Sequence, residues 1–189
     1  LVEAQGLRIK KSDGADWMPG DFGTLRIADD DVVDLSNLQR QTLYSTDAIG
    51  MPKTAEAEQA VAHLNPDVAV DLFARRIDAG NVERLVEGAD VVVDGCDNFE
   101  TRLLVADTAH RLRVPLVSAA IGQFEGQLGV FRGWESDKPC YRCFVGADPD
   151  RPDVSCADQG VLGALAGVMG SLAALETIRA IVPFGEDSA

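Results

Sequence analysis

The sequence predicts an α/β protein, a Rossmann-like, doubly wound and mostly parallel sheet. Two observations carry that expectation. From Thr24 onward, short apolar runs alternate with longer stretches of helical periodicity. One of those runs, ADVVVD at 89–94, is apolar on both alternating faces, as a central parallel strand covered by helices on both sides must be. The 189 residues are 46% hydrophobic, enough for a single domain with its own core.

Taken in order, residues 1–21 (LVEAQGLRIKKSDGADWMPGD) show neither helical nor strand periodicity and end in a Pro19-Gly20 turn. They read as an anomalous segment, out of frame or disordered, ahead of a domain at 22–189. Thr24–Ala28 reads as a strand running into the acidic turn Asp29-Asp30-Asp31. Residues 31–50 are polar and irregular. Pro52 opens a helix with Ala57, Val61 and Leu64 on one face, and Asn65-Pro66 closes it. A strand at 68–73, a brief helix at 81–87 and the apolar strand follow. A helix over Phe99–Leu112 and a strand at 115–119 come next, then glycine-interrupted alternation at 120–131 that suits antiparallel strands. Residues 132–155 read as loop, and a Gly/Ala-rich helix at 161–182 ends the ordered region. Parallel crossovers make the carboxyl ends of the strands the place to look for a ligand, just after Ala28, Val93 and Ala119.

The net charge of −14 argues against nucleic acid or an anionic membrane as the main partner. Four cysteines make no disulfide framework in a chain this long. The close pair Cys140 and Cys143 points instead to a metal or redox site in a reducing, cytoplasmic compartment. No basic-then-apolar export signal opens the chain, and the apolar run 161–175 is shorter than the ~20 residues of a membrane span, so it reads as a buried helix. A start at Leu1 without Met suggests a fragment or a processed product.

Several residues have chemistry worth testing. Asp29 could accept ribose hydroxyls or simply make a turn. Arg40, in the run SNLQRQ at 36–41, carries a planar fork suited to phosphate oxygens. Lys53 lies in the first turn of a helix, where the dipole disfavours a cation by about 0.3–1 kcal/mol, so an anion shared with the helix end is expected there; pairing with Glu56 is the plain alternative. Asp97 could bind Mg²⁺ or cap the next helix. Cys140 and Cys143 have the spacing of half a tetrahedral zinc site, with a redox pair as the lesser alternative. Cys156, in a polar loop before the apolar helix, could be a nucleophile or inert packing. His63 and His110 fall within helical patterns and read as ordinary surface or packing residues.

Asp29, SNLQRQ at 36–41, Lys53, CDN at 96–98, CYRC at 140–143 and VSCADQGVLGALAGVMGSLAALE at 154–176 together resemble the MoeB/ThiF/HesA family, bacterial relatives of ubiquitin-activating enzymes. The resemblance implies adenylation: ATP activates the terminal Gly carboxylate of a ubiquitin-like sulfur-carrier protein, pyrophosphate leaves, and a sulfur-donor protein then converts the adenylate to a thiocarboxylate. It implies that Asp29 holds the ribose, that Asn37 and Arg40 meet the phosphates with Gln39 beside them, and that Lys53 binds phosphate near the reacting centre. Asp97 would position Mg²⁺, and Asn98 would line the nucleotide pocket. Cys140 and Cys143 would supply half of a Zn²⁺ site. Cys156 would match a cysteine that some members use covalently, and the domain would pair as a homodimer.

The pattern departs from that family at both ends. Its strand, GxGGxG-like loop and helix should precede Thr24, but residues 1–21 hold only scattered glycines, so the usual first strand and phosphate loop are expected to be missing and ATP binding weak. The second Cys pair of the zinc site is also absent from the chain. Two competing readings are an inactive fragment or carrier-binding module without turnover, and a nicotinamide dehydrogenase. The latter is disfavoured because no GxGxxG opens the domain, and Arg40, Lys53 and Asp97 suit a metal-bound triphosphate better.

Overall fold

A computed structural model of the chain describes residues 6–10, 23–146 and 160–182. The elements are β1 (Gly6–Lys10), β2 (Thr24–Ala28), α1 (Lys53–Leu64), β3 (Ala69–Phe73), α2 (Val82–Val86), β4 (Val91–Asp94), α3 (Phe99–Leu112), β5 (Leu116–Ile121), β6 (Gly126–Phe131), α4 (Tyr141–Val145) and α5 (Gly163–Ile181). Six strands form one sheet in the order β3-β2-β1-β4-β5-β6.

Strands β2 and β3 pair in parallel, as do β4 and β5. Because β1 runs antiparallel to both β2 and β4, those two share a direction. Four strands therefore point their carboxyl ends at one edge. Helices cover both faces. On one, α2, α3 and α4 bury Val82, Leu85, Val105, Ala109 and Tyr141 against Val92 and Leu116. On the other, Ala173 of α5 meets Val91 and Val117, and Ala57 of α1 meets Ile27. Successive residues Val91 and Val92 are 0% and 3% exposed, so β4 is buried on both sides as its composition required.

Four readings of the sequence need correction. Residues 6–10 do pair as a strand: Leu7 and Ile9 alternate with Arg8 and Lys10, a period too short to stand out from the irregular segment around it. This strand fills the slot between β2 and β4, but it runs against its neighbours, so it is not the usual parallel first strand followed by a glycine-rich turn. Residues 141–145 form a short helix where loop was expected, because Cys140 acts as its N-cap, its sulfur accepting from the Cys143 N–H. The cap of α3 is Asn98 and not Asp97: Asn98 Oδ1 accepts from Thr101 N at 2.9 Å. Finally, α5 is buried on one side only. Met169, Ala173 and Thr177 face the protein, while Val168, Leu172 and Leu175 are 56%, 42% and 41% exposed. A helix apolar all round shows nothing in its sequence to say which half meets the sheet. By length and composition alone α5 could cross a membrane, but its inner face is committed to the sheet.

Ile27 is 1% exposed in the contact between β2 and α1. Replacing it by Ala is expected to cost about 2–5 kcal/mol in urea unfolding. The same change at Leu64, which is 82% exposed, should stay within about 0.5 kcal/mol.

Candidate functional site

The polar stretch after β2 is a closed loop with its own small core. Val32 and Pro52 form a bridge at its mouth, Val33 N donates to Met51 O at 2.9 Å, and Gly50 N donates to Val33 O at 2.8 Å. Gly50 takes φ +88°, a conformation that L side chains rarely adopt. Val33, Tyr44 and Ala48 pack inside. A further clamp comes from α5: a Cβ on Gly163 would overlap the carbonyl oxygen of Gln39, so the helix start lies directly on the loop. Leu162 N also donates to Gln123 O, tying the same helix start to the β5–β6 turn.

This frame fixes most of the expected nucleotide ligands. Asp29 is 3% exposed at the end of β2, and its Oδ1 accepts from Asp31 N at 2.8 Å. Asn37 is buried and exchanges capping contacts with Asp34: Asp34 N donates to Asn37 Oδ1 at 3.1 Å, while Ser36 N donates to Asp34 Oδ1 at 2.8 Å. Arg40 is buried, with Nη1 donating to Ser36 O at 3.1 Å. Gln39 is exposed, its backbone rather than its side chain being held.

Lys53 is the most informative of the set. Its backbone N–H donates to Asp31 O, and its Nζ donates to Asp31 Oδ2, both at 3.0 Å. The anion expected at this helix end is therefore the Asp31 carboxylate and not Glu56. The pair is lopsided: the Lys53 side chain is 4% exposed and the Asp31 side chain 64%. The cation is fixed, while its partner can swing into water.

Asp97 and Asn98 follow β4 at the same edge. With only β1 between β2 and β4, the two strand ends lie about 10 Å apart. Asp97 is exposed and released from capping, whereas the Asn98 oxygen is spent on its helix. Beneath them is a network that the sequence reading did not single out. Arg102 of α3 lies 3.1 Å from Asp94 Oδ2, and both side chains are almost wholly buried. Arg102 Nη1 donates to Ser118 Oγ at 2.8 Å, and Ser118 Oγ donates to Asp94 Oδ2 at 2.9 Å. The phenol of Tyr141 stands within hydrogen-bonding reach of Arg102 and Ser118. Burial is the largest single influence and works against the guanidinium charge, but Asp94, Tyr141 and Cys96 together outweigh it, leaving Arg102 with a raised pKa. A signal was there to be read: Arg102 falls in register with the apolar stripe Val105, Ala106 and Ala109.

The cysteines divide. Cys96 is 4% exposed, and burial, together with Asp94, pushes its thiol well up, so it is inert packing. Cys140 and Cys143 place their sulfurs 3.0 Å apart, and the thiol of Cys140 holds that of Cys143 below its ordinary range. Two sulfurs on one tetrahedral zinc stand about 3.8 Å apart, so the pair fits two corners of such a site after a small separation. Among the described residues no third cysteine or histidine stands with them. Cys156 lies outside the described residues. His63 and His110 are exposed on α1 and α3.

A sequence profile of the ThiF family matches residues 17–189. The chain belongs to the ThiF family. It is 44% identical over 165 residues to the SAMP-activating enzyme E1 of Haloferax volcanii, covering 87% of this chain and 60% of that protein. It is 41% identical over 169 residues to the sulfur carrier protein ThiS adenylyltransferase of Escherichia coli, covering 87% and 66%. The chain thus spans about two thirds or less of the length of these relatives. The fold is shared with crystal structures of E. coli MccB, among them the complex with MccA-N7isoASN, at a TM-score of 0.74 and 21% identity over 87% of this chain and 50% of that one. In this ThiF domain the central strand meets the carboxyl edge of β2 and β4 with Gly6, its first residue, where a strand running the other way would present the turn that follows it.

The electrostatics of Asp29 give a test. Burial, opposed by the Asp31 N–H and Lys53, pushes its pKa up to about 6 from 3.8. Between those values the folded state binds more protons than the unfolded one. Stability from this group is therefore greatest at low pH, falls as pH rises through that window and is fully lost above about 6. The cost at neutral pH is on the order of 2–3 kcal/mol. Asp29→Asn is expected to raise Tm at pH 7.5 and to flatten the decline in stability from pH 4 to 6. Thermal melts with the same pH slope in both proteins would count against the buried carboxylate.

Proposed function

We propose that the chain is the core of an ATP-dependent adenylyltransferase acting on the C-terminal Gly carboxylate of a ubiquitin-like sulfur-carrier protein. The observation that carries this reading is the buried Lys53, paired to a carboxylate that can leave, on the same edge as Arg40 and Asp97. A phosphate could replace Asp31 on Lys53 without exposing a buried charge, because Asp31 already faces water.

In the reaction a carboxylate oxygen forms a bond to the α-phosphorus as the bond to pyrophosphate breaks, giving acyl-adenylate and pyrophosphate. The nucleophile is already anionic, so no general base is needed; the work is alignment and neutralisation of charge. Asp29 would accept the ribose hydroxyls, and Asn37 and Arg40 would contact phosphate with Gln39 alongside. Lys53 would sit on the phosphate nearest the reacting centre. Asp97, exposed and not used as a cap, would hold Mg²⁺, which when bound would screen the phosphate charge. Asn98 retains its amide N–H groups for the pocket. Cys140 and Cys143 would hold Zn²⁺ as a structural half-site, and Cys156 would serve the later step with a sulfur-donor protein.

The exposed apolar face of α5 supports a homodimer, since a patch of this kind is covered in most folded proteins. A reducing, cytoplasmic setting suits three free thiols among the described residues. One observation favours a second reading, a carrier-binding module without turnover: β1 brings its start, and not a phosphate-binding turn, to the edge.

Carrier-dependent ATP–pyrophosphate exchange separates the two. The adenylation reading expects exchange that falls about 10²–10³-fold in Lys53→Met. The variant should stay folded, because Asp31 is solvated without its partner. Exchange absent from the wild-type chain, with carrier binding retained, would establish the module instead.

A further inference from the structure

The turn that carries Asp97 is held from beneath by one side chain. Cys96, the residue just before Asp97, has both of its peptide groups committed: its N–H donates to Asp94 Oδ1 at 2.9 Å, and its carbonyl accepts from Arg102 Nη2. The same Nη2 donates to Ala119 O at 3.2 Å on β5, while Nη1 reaches Ser118 Oγ and Asp94. On the far side of Asp97, Asn98 is fixed as the helix cap. An exposed carboxylate therefore rides on a backbone pinned at both ends, and the inner pin is a planar guanidinium joining β4, β5 and α3.

We infer that Arg102 is a positioning residue: by clamping the Cys96 carbonyl against the end of β5, it aims the Asp97 carboxylate at the metal–nucleotide edge. The metal half of this statement rests on the adenylation reading; the clamp does not. Lysine cannot replace arginine here, because a single ammonium point cannot span Cys96 O, Ala119 O and Ser118 Oγ in one plane. Positions that orient a metal ligand without touching the metal typically change affinity by about 10–100-fold.

The test pairs hydrogen exchange with calorimetry on Arg102→Lys, and on Ser118→Ala as a milder variant that removes one support of the guanidinium. In both, amide exchange over residues 95–98 should accelerate about tenfold or more, while α1 and β3 keep their wild-type protection. Mg-ATP affinity should fall about 10–100-fold, with metal-free ATP binding held within about twofold. A merely structural role would loosen the whole sheet and weaken both forms of ATP alike, and that result would overturn the inference. So would unchanged exchange at 95–98 in a folded Arg102→Lys protein. If the wild-type chain binds no Mg-ATP, the adenylation reading fails, and the exchange comparison alone decides whether Arg102 holds the Asp97 turn.

Discussion

A guanidinium and a carboxylate locked together beneath the carboxyl edge of the sheet are the constraint on which the geometry of that edge depends. Burying Asp94 and Arg102 is costly, and the arrangement survives because each polar atom has somewhere to go: Ser118, Cys96 and Ala119 complete the set. Removing one member of such a pair typically costs about 3–5 kcal/mol, since the other is left buried and uncompensated. The network joins two parallel strands to the helix between them, at the level where their chain directions change. The geometry of the β4 turn is thus set by packing rather than by loop propensity.

A second device works by looseness. Lys53 is sealed at the start of α1, yet the carboxylate it holds lies in water. A phosphate in place of that partner keeps the buried Lys53 charge compensated, so the exchange leaves the fold intact. Asp29 beside it is strained in the opposite sense: burial raises its pKa, and the protein carries that cost at neutral pH. Costly groups of this kind gather at functional sites more often than elsewhere. The closed loop between Val32 and Pro52 and the contact of Gly163 on Gln39 keep them in place.

Much of this could be read from the sequence, and the misses share a cause. Period-two and period-3.6 patterns placed β2, α1, β4 and α3 to within a residue or two, because those elements owe their formation to burying one face. The closed loop had no periodicity to betray it, although its residues, SNLQRQ and Lys53, were the ones singled out. Capping at α3 stood only as one of two alternatives for Asp97, since Asp97 and Asn98 are both good caps and only backbone geometry chooses between them. Arg102 was overlooked because arginine in a helix is ordinarily solvated; its register with Val105, Ala106 and Ala109 was the available clue. The direction of β1 could not be inferred, for the alternation of so short a strand reads the same in either direction.

The account stands on a spatial claim, that the ends of β2 and β4 grip one metal-bound triphosphate between them. A crystal structure with Mn²⁺ in place of Mg²⁺ and a non-hydrolysable ATP analogue tests it most directly. The account predicts an anomalous peak about 2.1 Å from an Asp97 oxygen and a phosphate oxygen in Asp31's place on Lys53 Nζ. A nucleotide bound on another surface, with Lys53 still on Asp31, would contradict it.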